Sequence, residues 1–193
     1  MEHKGTHTIE TERLILRRIR HDDAQAMFDN WTSDPEVTRF LSWPTHESVK
    51  VSQAIADMWE NDYEKPDSYQ WAFTLKDGDD KPFGTIGVVH IYEGINAMEI
   101  GYCIGRNFWH QGYTSEALEG VIGWLFENID GLERIEARHD ARNPNSGRVM
   151  KHAGMQYEGT RRKGDLNNSG IHDCCGYAIL REDYEKRKNN GAL

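Results

Sequence analysis

Residues 108–118 read FWHQGYTSEAL and place an aromatic pair, a glycine and two hydroxyl residues directly before a helix-forming segment. A bare turn needs fewer small residues than this. The amides at a helix N-terminus have no intrahelical acceptor, and the helix dipole favours negative charge there. We therefore hypothesise that Gly112, Thr114 and Ser115 cradle an anionic group such as a pyrophosphate. The alternative is ordinary helix capping, which uses the same residue types.

Two familiar phosphate-binding motifs are excluded by the letters around this turn. No G-x-x-x-x-G-K-[ST] is present, so the turn is not a P-loop. No G-x-G-x-x-G is present either, which argues against a dinucleotide-binding fold.

The segments outward from the turn predict a mixed sheet. Residues 68–75 (SYQWAFTL) alternate apolar and polar positions, which is typical of a strand. Turn chemistry in KDGDDKP separates them from an antiparallel partner at 83–92, and a third strand follows at 97–105. Residues 45–66 favour a helix whose apolar face carries Val51, Ile55, Met58 and Trp59. Further strands are expected at residues 11–19, 134–140, 155–162 and 173–180, and further helices at 21–33, 114–126 and 143–153. This order predicts an α+β fold: a mixed, mostly antiparallel sheet of about seven strands flanked by four helices.

The bulk composition fits one globular domain of 193 residues. A formal charge of −9 argues against a nucleic-acid partner. No apolar run approaches the ~20 residues of a membrane span, and the first ten residues lack the apolar segment of a signal peptide. The three cysteines form no disulfide framework, so we expect a cytoplasmic protein. The histidines lack metal-ligand spacing, and no metal is expected.

A second polar pair follows the predicted strand at 134–140. Asn143 and Ser146 stand three residues apart at the start of NPNSGRVMKHAGM, in the first turn of the next helix. Asn143 is either a ligand for an amide-bearing chain or an N-cap followed by Pro144 at the first helical position.

Four segments in this order resemble the GCN5-related N-acetyltransferase (GNAT) superfamily, in particular its RimJ/RimL-like branch. They are ERLILR, EIGYCI, WHQGYTSEAL and NPNSGRVMKHAGM. The resemblance implies a single N-acetyltransferase domain over residues 1–193, with a core of about 9–185 and short flexible ends. The family loop is usually [QR]-x-x-G-x-[GA]; here Trp109 and Thr114 occupy its first and last positions.

The resemblance also implies acetyl-CoA as co-substrate, held where the strands at 97–105 and 134–140 splay apart. Its pantetheine arm would pair with main chain at Tyr102, Cys103 and Ile104 and with Asn143. Its pyrophosphate would lie on the turn. The expected pyrophosphate ligands are Gln111, Gly112, Tyr113, Thr114 and Ser115.

Acetyl transfer to an amine needs a neutral amine, a polarised carbonyl and a hydrogen-bond donor for the leaving thiolate. Glu99 and Asp165 are the candidate bases, with a water chain as the alternative. Main-chain N–H groups near Tyr102 are the expected oxyanion donors. Many family members carry a tyrosine seven residues after the asparagine, where this chain has Met150, so Ser146 is the expected substitute as thiolate donor. Met150 also keeps open a different class of function, a CoA-binding sensor without turnover.

The acceptor is expected between the two early helices. An aromatic wall there could consist of Trp31, Phe40, Trp43 and Trp59, and Glu36, Glu47 or Asp57 could attract an ammonium group. The tryptophans also suit helix packing. Glu99 is expected to contact the acceptor as well. Family members acetylate N-termini of ribosomal proteins or small amines such as polyamines, amino sugars and aminoglycosides. The family resemblance implies a homodimer.

Overall fold

Eight strands form one sheet in the computed structural model, which describes residues 1–191. Their bounds are β1 Ile9–Glu10, β2 Leu14–Arg17, β3 Gln70–Leu75, β4 Gly84–Tyr92, β5 Ala97–Ile104, β6 Arg134–Asp140, β7 Gln156–Asn167 and β8 Gly170–Leu180. The spatial order is β1-β2-β3-β4-β5-β6-β8-β7. Only β5 and β6 are parallel neighbours, so the sheet is mixed and mostly antiparallel as predicted. The additional strand is the two-residue β1, which pairs with β2.

Six α-helices surround the sheet within the described residues, two more than predicted. They are α1 Ala24–Met27, α2 Pro35–Thr38, α3 Val49–Asp62, α4 Tyr113–Asn128, α5 Pro144–His152 and α6 Arg181–Asn189. The short α2 begins at Pro35, where Asp34 accepts a bond from the Glu36 amide. None of the helices combines the length and apolar character needed to cross a membrane.

The C-terminal helix α6 was missed because its sequence is mostly charged and carries no apolar stripe. Only Tyr184 of this helix is buried, and its ring stacks on Phe126 of α4 at 5.3 Å between centroids. Arg181 donates to the carbonyls of Phe126, Ile129 and Leu132 and so anchors the helix start. Tertiary contacts rather than hydrophobic periodicity therefore specify this helix.

The N-terminal segment also packs against the body of the protein. Thr6 is buried and its hydroxyl donates to the Ser68 carbonyl, and the indole of Trp71 donates to the His7 carbonyl. Packing therefore extends beyond the expected core of residues 9–185, and at the C-terminal end Arg187 donates to the Ala153 carbonyl.

The two faces of the sheet carry separate cores. In β3, Trp71 and Phe73 point into the larger core with α4, whereas Ala72 belongs to the smaller core under α1 to α3. The predicted apolar face of α3 was wrong in part, because Val51 and Met58 are 41% and 46% exposed. The buried residues of that helix are instead Ser52 and Ala56. Small side chains let the helix lie close to its neighbours.

The parallel strands β5 and β6 separate halfway along their length. They pair only where Ala97–Glu99 lies beside Arg134–Glu136. Beyond Glu99, β5 continues to Ile104 against β4, while β6 continues to Asp140 against β8. The sheet therefore opens after Glu99, as the predicted splay requires.

Candidate active site

The turn after β5 presents three main-chain amides at the N-terminus of α4. The first helical bond runs from the Glu116 amide to the Gly112 carbonyl, at 3.1 Å. No partner within residues 1–191 accepts from the amides of Tyr113, Thr114 and Ser115, and Gly112 has no side chain to cap them. These amides lie at the positive end of a 16-residue helix. The arrangement suits an anion, and simple side-chain capping does not account for it.

Gly112 is required by its backbone conformation. Its φ of +82° lies in the left-handed region, which side chains with a Cβ rarely adopt. A Cβ at this position would also lie 3.3 Å from Nη2 of Arg13. The glycine therefore permits both the left-handed backbone and the close position of Arg13.

Arg13 anchors this turn, and sequence reasoning missed it. Its Nη1 donates to the Gln111 carbonyl at 3.0 Å, and its Nε donates to Oε2 of Glu116 at 2.6 Å. Burial alone would raise the pKa of Glu116, but the bonds from Thr11 and Arg13 outweigh it and hold the pKa below its ordinary value. Arg13 and Gln111 are 98 residues apart, so no local pattern reveals the contact.

Across the strand opening, Tyr102 of β5 reaches the first turn of α5. Its hydroxyl lies 3.0 Å from both the carbonyl oxygen and Oγ of Ser146. Burial raises the pKa of Tyr102, so the phenol stays neutral and keeps its proton for donation. Ser146 therefore has a fixed hydroxyl neighbour that the sequence did not indicate.

Asn143 occupies the cap position of α5, yet its side chain makes no capping bond. Pro144 follows at the first helical position, where its missing N–H costs nothing. The capping alternative for Asn143 is thus not used in this structure. Its amide is left to contact a ligand.

His139 of β6 holds an unpaired polar atom beside α5. Its Nδ1 lies 2.8 Å from the Asp140 carbonyl, so Nδ1 carries the proton and Nε2 is a bare acceptor. Nε2 is buried without a hydrogen-bond partner in the described part of the chain. It faces Gly147, where an added Cβ would lie 2.6 Å away. A buried acceptor left unpaired costs about 1–3 kcal/mol.

Cys103 and Ile104, the other expected pantetheine contacts, differ in which of their groups are available to a ligand. Ile104 already accepts a bond from the Trp109 indole at 2.9 Å. The Cys103 side chain faces the smaller core, and burial raises the pKa of its thiol to about 11. Only its main chain is therefore placed to contact a ligand in the strand opening. Met150 is 1% exposed and belongs to the larger core.

The two candidate bases lie on the opposite sheet face from Tyr102 and are joined by one arginine. Nε of Arg138 lies 2.9 Å from Oε1 of Glu99 and 3.2 Å from Oδ2 of Asp165. The Tyr92 hydroxyl donates to the other Glu99 oxygen at 3.1 Å. Glu99 is only 5% exposed. Both carboxylates therefore belong to one charged cluster, which the sequence did not indicate.

A cavity of about 410 Å³ opens beside this cluster. Its lining is mostly charged, polar or glycine. The lining residues are Tyr92, Glu99, Arg134, Glu136, Ala137, Arg138, Glu158, Gly159, Thr160, Arg161, Cys174, Gly176 and Tyr177. Successive β5 residues face opposite sides of the sheet, so Glu99 and Tyr102 lie on opposite faces. The cavity therefore lies on one face of the strand opening, and the Tyr102 side chain lies on the other.

Trp31 and Trp43 do not form the expected aromatic wall. Trp31 is 1% exposed within the smaller core, so its ring offers no surface to an acceptor and its role is packing. Trp43 is half-buried and its ring lies 5.4 Å from that of His46. Neither tryptophan lines the cavity described above.

The tip of the β7–β8 hairpin is tied to the loop after α2. The Asn168 side chain donates to the carbonyls of Thr38 and Trp43 at 2.8 and 2.7 Å. The main-chain N–H of Asn168 donates to the Leu41 carbonyl. The Ser169 hydroxyl donates to the Arg39 carbonyl at 2.9 Å. The hairpin tip and the loop after α2 therefore hold each other in place.

Comparison with known proteins identifies the class. Residues 13–156 match the acetyltransferase (GNAT) domain family. The uncharacterized N-acetyltransferase YoaA of Bacillus subtilis (strain 168) is 31% identical over 173 residues, which cover 90% of this chain and 96% of the relative. A GNAT-family acetyltransferase from Bacillus anthracis shares the fold with a TM-score of 0.78 at 27% identity, over 91% of this chain and 99% of that chain.

The chain belongs to the GNAT acetyltransferase family, which confirms the superfamily predicted from its motifs. RimL, a ribosomal L7/L12 alpha-N-protein acetyltransferase solved in complex with coenzyme A, has the same fold with a TM-score of 0.79. That similarity, at 18% identity, covers 90% of this chain and 98% of RimL.

Proposed function

We propose that this protein transfers the acetyl group of acetyl-CoA to a primary amine by direct attack in a ternary complex. The observation that carries the proposal is the opening between β5 and β6, which has free amides and Ser146 on one side and two carboxylates on the other. The family relationship and the coenzyme A complex of RimL support the choice of co-substrate.

The groups on the α4 side fit a coenzyme A arm. The amides of Tyr113 to Ser115 would hold the pyrophosphate, with Gly112 and Arg13 shaping the turn. Asn143 offers its uncapped side-chain amide to the pantetheine chain.

Acetyl-CoA supplies the acetyl group as a thioester. Glu99 receives the proton that the amine loses as its nitrogen bonds to the carbonyl carbon, with Asp165 or a water chain as the alternatives. Main-chain N–H groups near Tyr102 stabilise the developing oxyanion. The C–S bond then breaks, and the Ser146 hydroxyl donates a hydrogen bond to the departing thiolate.

For the acceptor, we propose a protein N-terminus, by analogy with the ribosomal-protein substrate in the name of RimL. A small amine such as a polyamine, amino sugar or aminoglycoside is the second candidate. A charged cavity of about 410 Å³ suits the end of a chain or a small molecule.

The test is a thiol-release assay with acetyl-CoA and a panel of N-terminal peptides, polyamines and aminoglycosides, combined with calorimetric titration of coenzyme A. We expect coenzyme A binding and turnover with at least one acceptor class. Tight coenzyme A binding without turnover on any acceptor would instead favour the sensor. Absence of coenzyme A binding would refute both.

A further inference from the structure

The arginines that line the cavity differ in their ion pairs. Arg134 forms ion pairs with Glu136 and Glu158, and Arg138 forms ion pairs with Glu99 and Asp165. Every carboxylate of the lining is therefore already matched to an arginine. Arg161 lines the same cavity but forms no ion pair within residues 1–191; the polar atom that it contacts is Sγ of Cys174, at 3.9 Å.

Arg138 also has N–H donors that form no hydrogen bond within residues 1–191. The shortest contact of each of its ion pairs is made by Nε, and its terminal nitrogens form no hydrogen bond to the residues that the structure describes. Its side chain is 46% exposed. A guanidinium presents its terminal N–H groups in a planar fork that matches a carboxylate or a phosphate.

Two glycines leave space between these arginines. Gly159 of β7 and Gly176 of β8 are directly opposite each other, and Arg138 of β6 is opposite Gly176 on the other side. An added Cβ would meet nothing within 4 Å at Gly159 and only the Gly159 carbonyl, at 4.0 Å, at Gly176. The space over this glycine pair is therefore open to a ligand.

The strand register allows Arg138 and Arg161 to reach this space together. Arg161 is opposite Cys174, two residues from Gly176 along β8. With strands about 4.8 Å apart and residues about 3.3 Å apart along a strand, their Cα atoms are separated by about 12 Å. Two extended arginine side chains span that distance, so both can contact one small anion. The pKa of Arg161 is raised, first by Cys174 and then by Asp165 and Glu99, which keeps it charged near these carboxylates.

We propose that the acceptor is a primary amine that also carries an anionic group, a carboxylate or a phosphate. Arg161 and the terminal nitrogens of Arg138 bind that group over Gly159 and Gly176, while the amine lies at Glu99 and Asp165. The inference rests on the proposed function in taking this cavity as the acceptor site. It narrows the acceptor class to acidic N-terminal segments or small amino acids and amino phosphates, and disfavours polyamines.

Binding measurements test the proposal without depending on turnover. The full chain, saturated with coenzyme A, is titrated calorimetrically with matched probes: Ala-Asp-amide against Ala-Asn-amide, and phosphoethanolamine against ethanolamine. The first pair reports a carboxylate and the second a phosphate. We expect the acidic member of at least one pair to bind about tenfold tighter or more, with the difference shrinking at high salt.

Two variants locate the effect. Arg161→Gln should remove the preference for the acidic member, whereas Arg162→Gln should keep it, because Arg162 is exposed and lies outside the cavity lining. Equal binding of both members in the unmodified protein, no binding of any acidic probe, or an unchanged preference in Arg161→Gln would overturn the inference. Acetylation of neutral amines without an acidic preference would leave the proposed function standing. An acidic preference that depends on Arg161, without thiol release on any acceptor, would support the anion site and refute the proposed acetyl transfer.

Discussion

Glu99 and Asp165 share a single nitrogen atom, Nε of Arg138, at 2.9 and 3.2 Å. The two candidate bases are therefore not independent alternatives at separate places. They belong to one ion-paired group, so replacing either carboxylate changes the charge balance around the other.

We expect Glu99→Gln to lower kcat by on the order of 10²-fold and to move the rise of the pH–rate profile to higher pH, because the amine would then lose its proton to solvent. Asp165→Asn is the matched variant, since it removes one charge from the same arginine. A larger loss in Asp165→Asn would assign the base to Asp165, and unchanged profiles in both would leave the water chain.

Gly112→Ala should weaken coenzyme A binding about tenfold or more, because the new methyl group lies 3.3 Å from Nη2 of Arg13 and would displace the arginine that holds the turn before the α4 amides. Gly131→Ala is the control. Gly131 has a similar φ of +79°, but a Cβ there meets nothing within 4 Å. Both variants should lose about 1–2 kcal/mol of stability from backbone strain. Calorimetric titration separates them, and equal affinities in the two variants would argue against a phosphate at this turn.

Ser146→Ala should lower kcat by on the order of 10²-fold if the hydroxyl serves the thiolate. Tyr102→Phe should lower it less, and the double variant should be no slower than Ser146→Ala, because the phenol acts through Ser146. Additive losses would mean that the two hydroxyl groups act separately. The steady-state measurement should report kcat and the KM for acetyl-CoA separately, since a packing defect would change both.

Asp140 should make stability fall in acid. Burial alone would raise its pKa, but bonds from Arg142 and Asn167 outweigh burial and hold the pKa well below its ordinary value. A carboxylate with a lowered native pKa stabilises the fold above its unfolded pKa of about 3.9, and this contribution is lost as the pH falls through the native pKa.

Asp140→Asn should therefore cost about 2 kcal/mol at pH 7 and flatten the acid limb of the stability curve. Asp77→Asn is the control, because Asp77 is exposed and forms no ion pair within residues 1–191. Chemical denaturation at pH 3 to 7 measures both variants. Equal acid sensitivity of Asp140→Asn and the unmodified chain would contradict the assignment.

Local patterns were sufficient to predict β3 and the start of α4. Alternation in residues 68–75 predicted β3, and Gly112, Thr114 and Ser115 predicted a helix start at this turn. These features depend on neighbours within a few residues, which a single sequence displays directly.

Long-range charge contacts were beyond the sequence. Arg138 joins Glu99 and Asp165 across three segments of the chain, and Arg13 holds a turn 98 residues away. In the sequence, Arg138 and Arg13 look like ordinary solvent-exposed charged residues. Trp31 shows the opposite problem, because an aromatic residue in a helix is compatible with either a binding wall or a core, and only packing decides.

The tie between the β7–β8 hairpin tip and the loop after α2 uses donors from Asn168 and Ser169 but only main-chain acceptors on the other side. Every amino acid supplies a carbonyl, so residues 39–43 can change identity while the loop keeps its shape. Evolution or a directed library can therefore replace these loop residues one by one, whereas the donor side chains of Asn168 and Ser169 must be kept.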